Sequence, residues 1–151
     1  MTPAAPRDRQ QRIQDTLAKL TAPAADVWVA TAGDSGPHLV PLSLAWVGER
    51  VVIAVEGTSR TARNLRAGRT ARLAVGPTRD VVVIDAVLER SVPVTDAAEL
   101  GEHYASQADW DPRGAGDPYE FLVLRPERVQ AWREVDEIPG RTLMRDGAWL
   151  G

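Results

Sequence analysis

Four arginines, an asparagine and three hydroxyl side chains are crowded into "TSRTARNLRAGR", residues 58–69. Ser59 is of the N-cap type and Gly68 is a stop signal, so a short helix is predicted from Arg60 to Ala67, directly after the apolar run "VVIAV" (51–55). The start of a helix presents unpaired backbone N–H groups and the positive end of the helix dipole, both of which attract phosphate. Thr58, Ser59 and Thr61 add hydroxyl donors, while Arg60 and Arg63 offer bidentate charge-assisted bonds. A phosphomonoester carries about −1.5 to −2 charge near neutral pH, which two arginines nearly balance. The same residues fit a plainer arrangement, with Ala62 and Leu65 packed inward and the arginines solvating the surface. At the level of residue types both readings stand.

Other chemistries have weaker support. The chain has no cysteine, so a disulfide framework and thiolate metal sites are excluded. His38 and His103 are far apart and lack neighbouring carboxylates at ligand spacing, and Asp109 and Asp111 sit in a Gly/Pro-rich loop. No nucleophile elbow, P-loop or dinucleotide-binding glycine pattern is present. The five tryptophans follow no period and are expected to anchor the core or an interface. A net charge of −3 argues against a dedicated nucleic-acid binder. No signal-peptide pattern or membrane-length apolar run occurs, and a cytoplasmic protein is expected.

The elements that would hold the 58–69 segment are mostly strands. Residues 1–6 are expected to be a disordered lead-in to a single domain spanning 7–151. Ile13, Leu17 and Leu20 mark an amphipathic helix from Arg7 to Leu20. "VWVATA" (27–32) and "PHLVPLSLAW" (37–46) form a hairpin about the turn "GDSG" (33–36). Further strands are predicted at 51–55, 70–75, 80–90, 119–126, 127–132 and 141–150, with a helix capped by Thr95 and running to about Gln107 and a polar loop over 108–118.

Two strands carry information about function. In 37–46, Val40, Leu42, Leu44 and Trp46 share a bulky face, while Leu39, Pro41, Ser43 and Ala45 make a mostly compact one. Pro41 cannot donate to a ladder, which implies an edge or a bulge and leaves room for a flat ligand on the backbone. Val81 to Ile84 is apolar on both faces, so the strand is either covered twice within the chain or meets a second subunit, and a dimer is expected.

In order, "VWVATAGDSGPHLVPLSLAW", "RVVIAVEGTSRTARNLRAGRTARLAV" and "YEFLVLRPERVQAW" resemble the pyridoxamine 5′-phosphate oxidase-like FMN-binding split-barrel family. The resemblance is closest to its actinobacterial flavin- and deazaflavin (F420)-dependent oxidoreductase branch, and "ARNLRAGRTARLAV" is its most specific part. It implies a mainly β fold with peripheral helices: a six- to seven-stranded antiparallel split β-barrel of Greek-key type. It implies a homodimer with FMN or F420 at the subunit interface and a small-molecule substrate. Carried over, Ser59, Arg60, Thr61 and Arg63 would hold the cofactor phosphate beside Thr58, and Leu42, Ser43 and Leu44 would lie against the ring. Trp132 would reach the cofactor of the other subunit. Many relatives place a lysine where this chain has Thr61. The implied reaction is hydride transfer to or from a small organic molecule, which needs no protein acid or base, and no catalytic residue is assigned. A non-catalytic flavin-sequestering dimer and a cofactor-free member are the alternatives.

Overall fold

A computed structural model describes residues 5–115 and 118–151. Residues 1–4 of the expected lead-in, and Gly116 and Asp117 of the expected polar loop, lie outside the described residues; Ala5 and Pro6 have no regular structure.

The first helix, α1 (Arg9–Thr21), starts at Asp8, whose carboxylate accepts the Gln11 N–H at 2.8 Å. Its inward face carries Leu20 and part of Ile13, as the spacing predicts, but also Arg12 and Thr16, both buried. The buried guanidinium is tolerable because it donates to the carbonyls of Arg7, Ala131, Glu137 and Pro139.

Strands β1 (Asp26–Gly33) and β2 (Gly36–Ser43) form the expected hairpin, paired from Asp26–Ser43 to Gly33–Gly36. The chain breaks at Leu44, whose N–H bonds to the Ala25 carbonyl, and continues as β3 (Ala45–Val47) and β4 (Arg50–Glu56). Helix α2 (Arg60–Gly68) follows, then β5 (Thr70–Val75) and β6 (Val81–Pro93). A 3-10 turn (Val94–Asp96) precedes α3 (Ala98–Ala108). Thr95 therefore lies inside that turn, and Ala97, without a side-chain bond, occupies the expected cap. The two strands predicted over 119–132 are one, β7 (Tyr119–Trp132), and the last predicted strand is the hairpin β8 (Thr142–Arg145) and β9 (Ala148–Trp149).

All pairings are antiparallel, in the order β2-β1-β5-β6-β7-β4-β3, with β8 and β9 added to β7. The two ends of this order, β2 and β3, are consecutive in the chain. The barrel is thus closed by covalent continuity through Leu44 and not by a ladder, which leaves a split beside β2. As Pro41 implied, β2 is an edge strand.

The interior is filled by Val29, Leu44, Ile53, Leu73, Ile84, Leu122 and Leu124, all inaccessible to solvent. Val52, Ala54, Phe121 and Val123 point the other way, into a second cluster under α3 with Tyr104. Double coverage explains why β4 reads as an unbroken apolar run. β6 differs: Val82 and Ile84 enter the core, while Val81 and Val83 stay half-exposed on the outer face. Among the described residues, no helix is long and apolar enough to cross a membrane.

Candidate functional site

Helix α2 begins where the sequence places it. The Ser59 Oγ accepts the Ala62 N–H at 3.2 Å, and Ala62 and Leu65 are fully buried. Its end is one residue later than expected: Gly68 is helical, and Arg69 adopts the left-handed conformation with φ 68°. That conformation is held by two bonds to Leu88, one from the Arg69 guanidinium to its carbonyl and one from its N–H to the Arg69 carbonyl, both 2.7 Å.

The four arginines of the segment divide into two pairs. Arg66 donates to the Gly57 carbonyl at 2.6 Å and bonds to the Glu120 carboxylate, tying α2 to the start of β7. Arg69 is committed to Leu88. Arg60 and Arg63 are exposed and, among the described residues, their side chains have neither an ion-pair partner nor a hydrogen bond. Both line a polar cleft of about 230 Å³ between α2 and the β1–β2 turn, together with Gly33, Asp34, Ser35, Gly36 and Asn64. Asp34 is the one carboxylate in that lining and forms no salt bridge with either arginine.

The helix contributes backbone donors as well. The Arg63 N–H is bonded to the Ser59 carbonyl and the Ala62 N–H to the Ser59 hydroxyl. The N–H groups of Arg60 and Thr61 have no acceptor among the described residues. Two free guanidiniums and two free N–H groups at a helix start suit a phosphate dianion.

Asn64 positions this assembly. Its Nδ2 donates to the buried Thr31 Oγ1 at 3.1 Å, and its Oδ1 occupies the space that a Cβ on residue 33 would need. Only glycine at 33 allows that approach. The Arg-Asn-Leu sequence is therefore a division of labour, with a free cation (Arg63), a clamp to β1 (Asn64) and a core anchor (Leu65).

Of the other candidate residues, the Thr61 side chain is 3% exposed and the Leu44 side chain fully buried, each on the inward face of its own element. Thr58 is exposed and Ser59 half-buried, beside the cleft rather than in its lining. Leu42 and Ser43 line a larger recess of about 760 Å³ with Trp28, Pro41, Lys19 and the 74–77 turn. That recess is at the opposite end of the β1–β2 hairpin from Gly36. Leu42 is six residue steps along the strand from Gly36, about 20 Å at a strand's usual rise. The outer surface between them carries exposed Leu39, Pro41 and Trp28. Trp132 ends β7, pairs with Val81 and supports the Arg141 guanidinium 5.7 Å from its ring centroid. Among the described residues no group of His, Asp and Glu is arranged to hold a metal.

Solved structures identify the architecture. A protein described as an F420 reductase superposes with a TM-score of 0.62 at 18% identity, covering 74% of this chain and 94% of its own. A FAD-binding protein from Mesorhizobium loti gives 0.61 at 22% identity, covering 78% and 89%. A putative pyridoxamine 5′-phosphate oxidase from Listeria innocua gives 0.62 at 13%, covering 80% and 98%. The fold is the pyridoxamine 5′-phosphate oxidase-like split barrel. No protein-family model matches the sequence, and no curated protein matches it. The split barrel expected from the three quoted stretches is thus the observed architecture. Among the described residues there are nine strands, with β2 and β3 divided at Leu44 and β8 and β9 forming a C-terminal hairpin.

Proposed function

We propose that this protein is a homodimeric, cytoplasmic oxidoreductase that binds FMN or the deazaflavin coenzyme F420 through its phosphate. The single observation that carries this reading is the uncompensated pair Arg60 and Arg63 beside the free N–H groups of Arg60 and Thr61. In a chain of net charge −3, with carboxylates paired to most other arginines, this pair is a defined demand for an anion. The split barrel supplies the context, since solved proteins sharing it are described as an F420 reductase and as FAD-binding.

Thr61 enters through its backbone N–H, and Arg60 and Arg63 supply the charge that many relatives obtain in part from a lysine at that position. Bound flavin or deazaflavin supplies the hydride chemistry. The chain's own residues fix the phosphate end at α2 and offer the unpaired edge of β2 as a surface for a flat ring. Asn64 keeps the cleft at a set distance from β1.

Val81 and Val83 on β6, Ala74 on β5 and Trp28 on β1 form a contiguous outer surface, because Trp28 pairs with Ala74 and Ala74 with Val83. Covering it with a second copy removes the exposed Trp28 and Leu39 from water. Leu42, Ser43 and Trp132 are then contacts for the ring end or the substrate.

Absorbance titration of the purified protein with FMN and with F420 tests the proposal. Saturable binding of one of them is expected; absence of saturation with both, in protein that is folded and dimeric by light scattering, would refute it. Turnover with a reductant and acceptor separates the enzyme from a protein that only sequesters the cofactor.

A further inference from the structure

Four of the five arginines without a carboxylate or carbonyl partner gather at two recesses. Among the described residues, Arg9, Arg60, Arg63, Arg90 and Arg145 have none, and Arg60 and Arg63 belong to the α2 cleft. Arg9 and Arg145 converge on a different recess, of about 350 Å³, between the start of α1 and the C-terminal hairpin. Arg128 and Arg141 line the same recess, with Gln130 and Thr142, and no acidic residue does.

The Arg141 and Gln130 side chains of this lining are held in place. The Arg141 guanidinium rests over Trp132 and donates to the Ile138 carbonyl at 3.4 Å. Its backbone carbonyl accepts the Ala131 N–H at 2.9 Å, while Gln130 bonds to the Thr142 hydroxyl at 3.2 Å. Arg128 reaches only to 4.0 Å from Asp85, which is already bonded to Arg72 at 2.6 Å. Four guanidiniums facing one recess repel each other, and a multivalent anion turns that repulsion into attraction.

We propose that this recess is a second anion site, independent of the α2 cleft, that takes a small polyanion bearing two or more phosphate or carboxylate groups. The planar forks of Arg9, Arg141 and Arg145 are suited to either group. Trp132 provides one ring face as the platform that orients Arg141.

Isothermal titration calorimetry of the full-length protein with pyrophosphate and with citrate tests this. At least one probe is expected to bind at the recess, and the stronger of the two identifies phosphate or carboxylate as the preferred group. The double variant Arg141→Gln/Arg145→Gln is expected to weaken this binding about 10- to 100-fold, the loss associated with removing charge-assisted bonds. Arg60→Gln/Arg63→Gln is expected to leave it intact. Binding abolished by the Arg60/Arg63 variant but unchanged in the Arg141/Arg145 variant would overturn the proposal, as would no binding of either probe. Should Arg141→Gln disturb folding, Arg9→Gln is the alternative, because Arg9 is exposed and bears no bond of the fold.

Discussion

Asn64 and Thr31 are joined by one hydrogen bond of 3.1 Å that holds helix α2 against strand β1. Because the amide also fills the space above Gly33, the turn carrying Asp34 and Ser35 is kept at a fixed distance from Arg60 and Arg63. The cleft is therefore built by a glycine that yields room and an amide that uses it.

Gly33→Ala drives a methyl into Asn64 Oδ1, so the amide must move or the hairpin must shift. The expected cost is about 1–3 kcal/mol of unfolding free energy by urea denaturation, with weakened anion binding. Asn64→Ala relieves the clash; combined with Gly33→Ala it should cost less than the sum of the single changes.

Arg63→Ala and Arg66→Ala should separate binding from stability. Arg63 has no partner in the fold, so its loss should leave the denaturation midpoint in place and weaken cofactor binding by about 1.5–3 kcal/mol. Arg66→Ala removes the bonds to Gly57 and Glu120 and should lower stability by about 1 kcal/mol, given its partial exposure. An unchanged cofactor affinity in Arg63→Ala would show that Arg63 faces solvent only.

Asp34 opposes an anion in the cleft. Asp34→Asn should tighten phosphate or FMN binding by about 0.5–1 kcal/mol, with a weaker effect at high salt. Fluorescence titration at two ionic strengths measures both effects.

Arg12→Leu should be severely destabilising. The guanidinium is buried and satisfies carbonyls on α1's approach, β7 and the 137–139 turn, all of which would lose a partner. A loss of about 3–5 kcal/mol is expected in thermal or urea unfolding, on the scale of breaking a buried charged network.

Acid stability should depend on Glu137. Hydrogen bonding from the Arg7 guanidinium lowers its pKa from 4.5 to about 2, against the opposing effect of burial. Since the folded value lies below the unfolded one, the contribution is complete above about pH 4.5 and disappears as pH falls through 2. Glu137→Gln should flatten the stability profile across that window, losing up to about 3 kcal/mol at neutral pH. An unchanged slope between pH 5 and 2 would assign acid unfolding to other carboxylates.

The sequence alone determined the local elements. Strand alternation placed Val40, Leu42, Leu44 and Trp46 on the core side of one path, Ser59 marked the start of α2, and Pro41 marked an edge strand. These are short-range effects of sterics and backbone bonding, so neighbouring residues suffice to reveal them. Which arginines remain free was decided only by the tertiary structure. Arg60, Arg63, Arg66 and Arg69 look equivalent in sequence, but at three-residue spacing each is rotated about 60° from the last around the helix. That rotation turns Arg66 toward Glu120, 54 residues later in the chain, and leaves Arg60 and Arg63 facing the β1–β2 turn. The burial of Thr61 and Arg12 and the convergence of Arg9 with Arg141 and Arg145 are likewise products of packing between distant segments. Residue type sets what a side chain can bond; only the fold sets which partners come within reach.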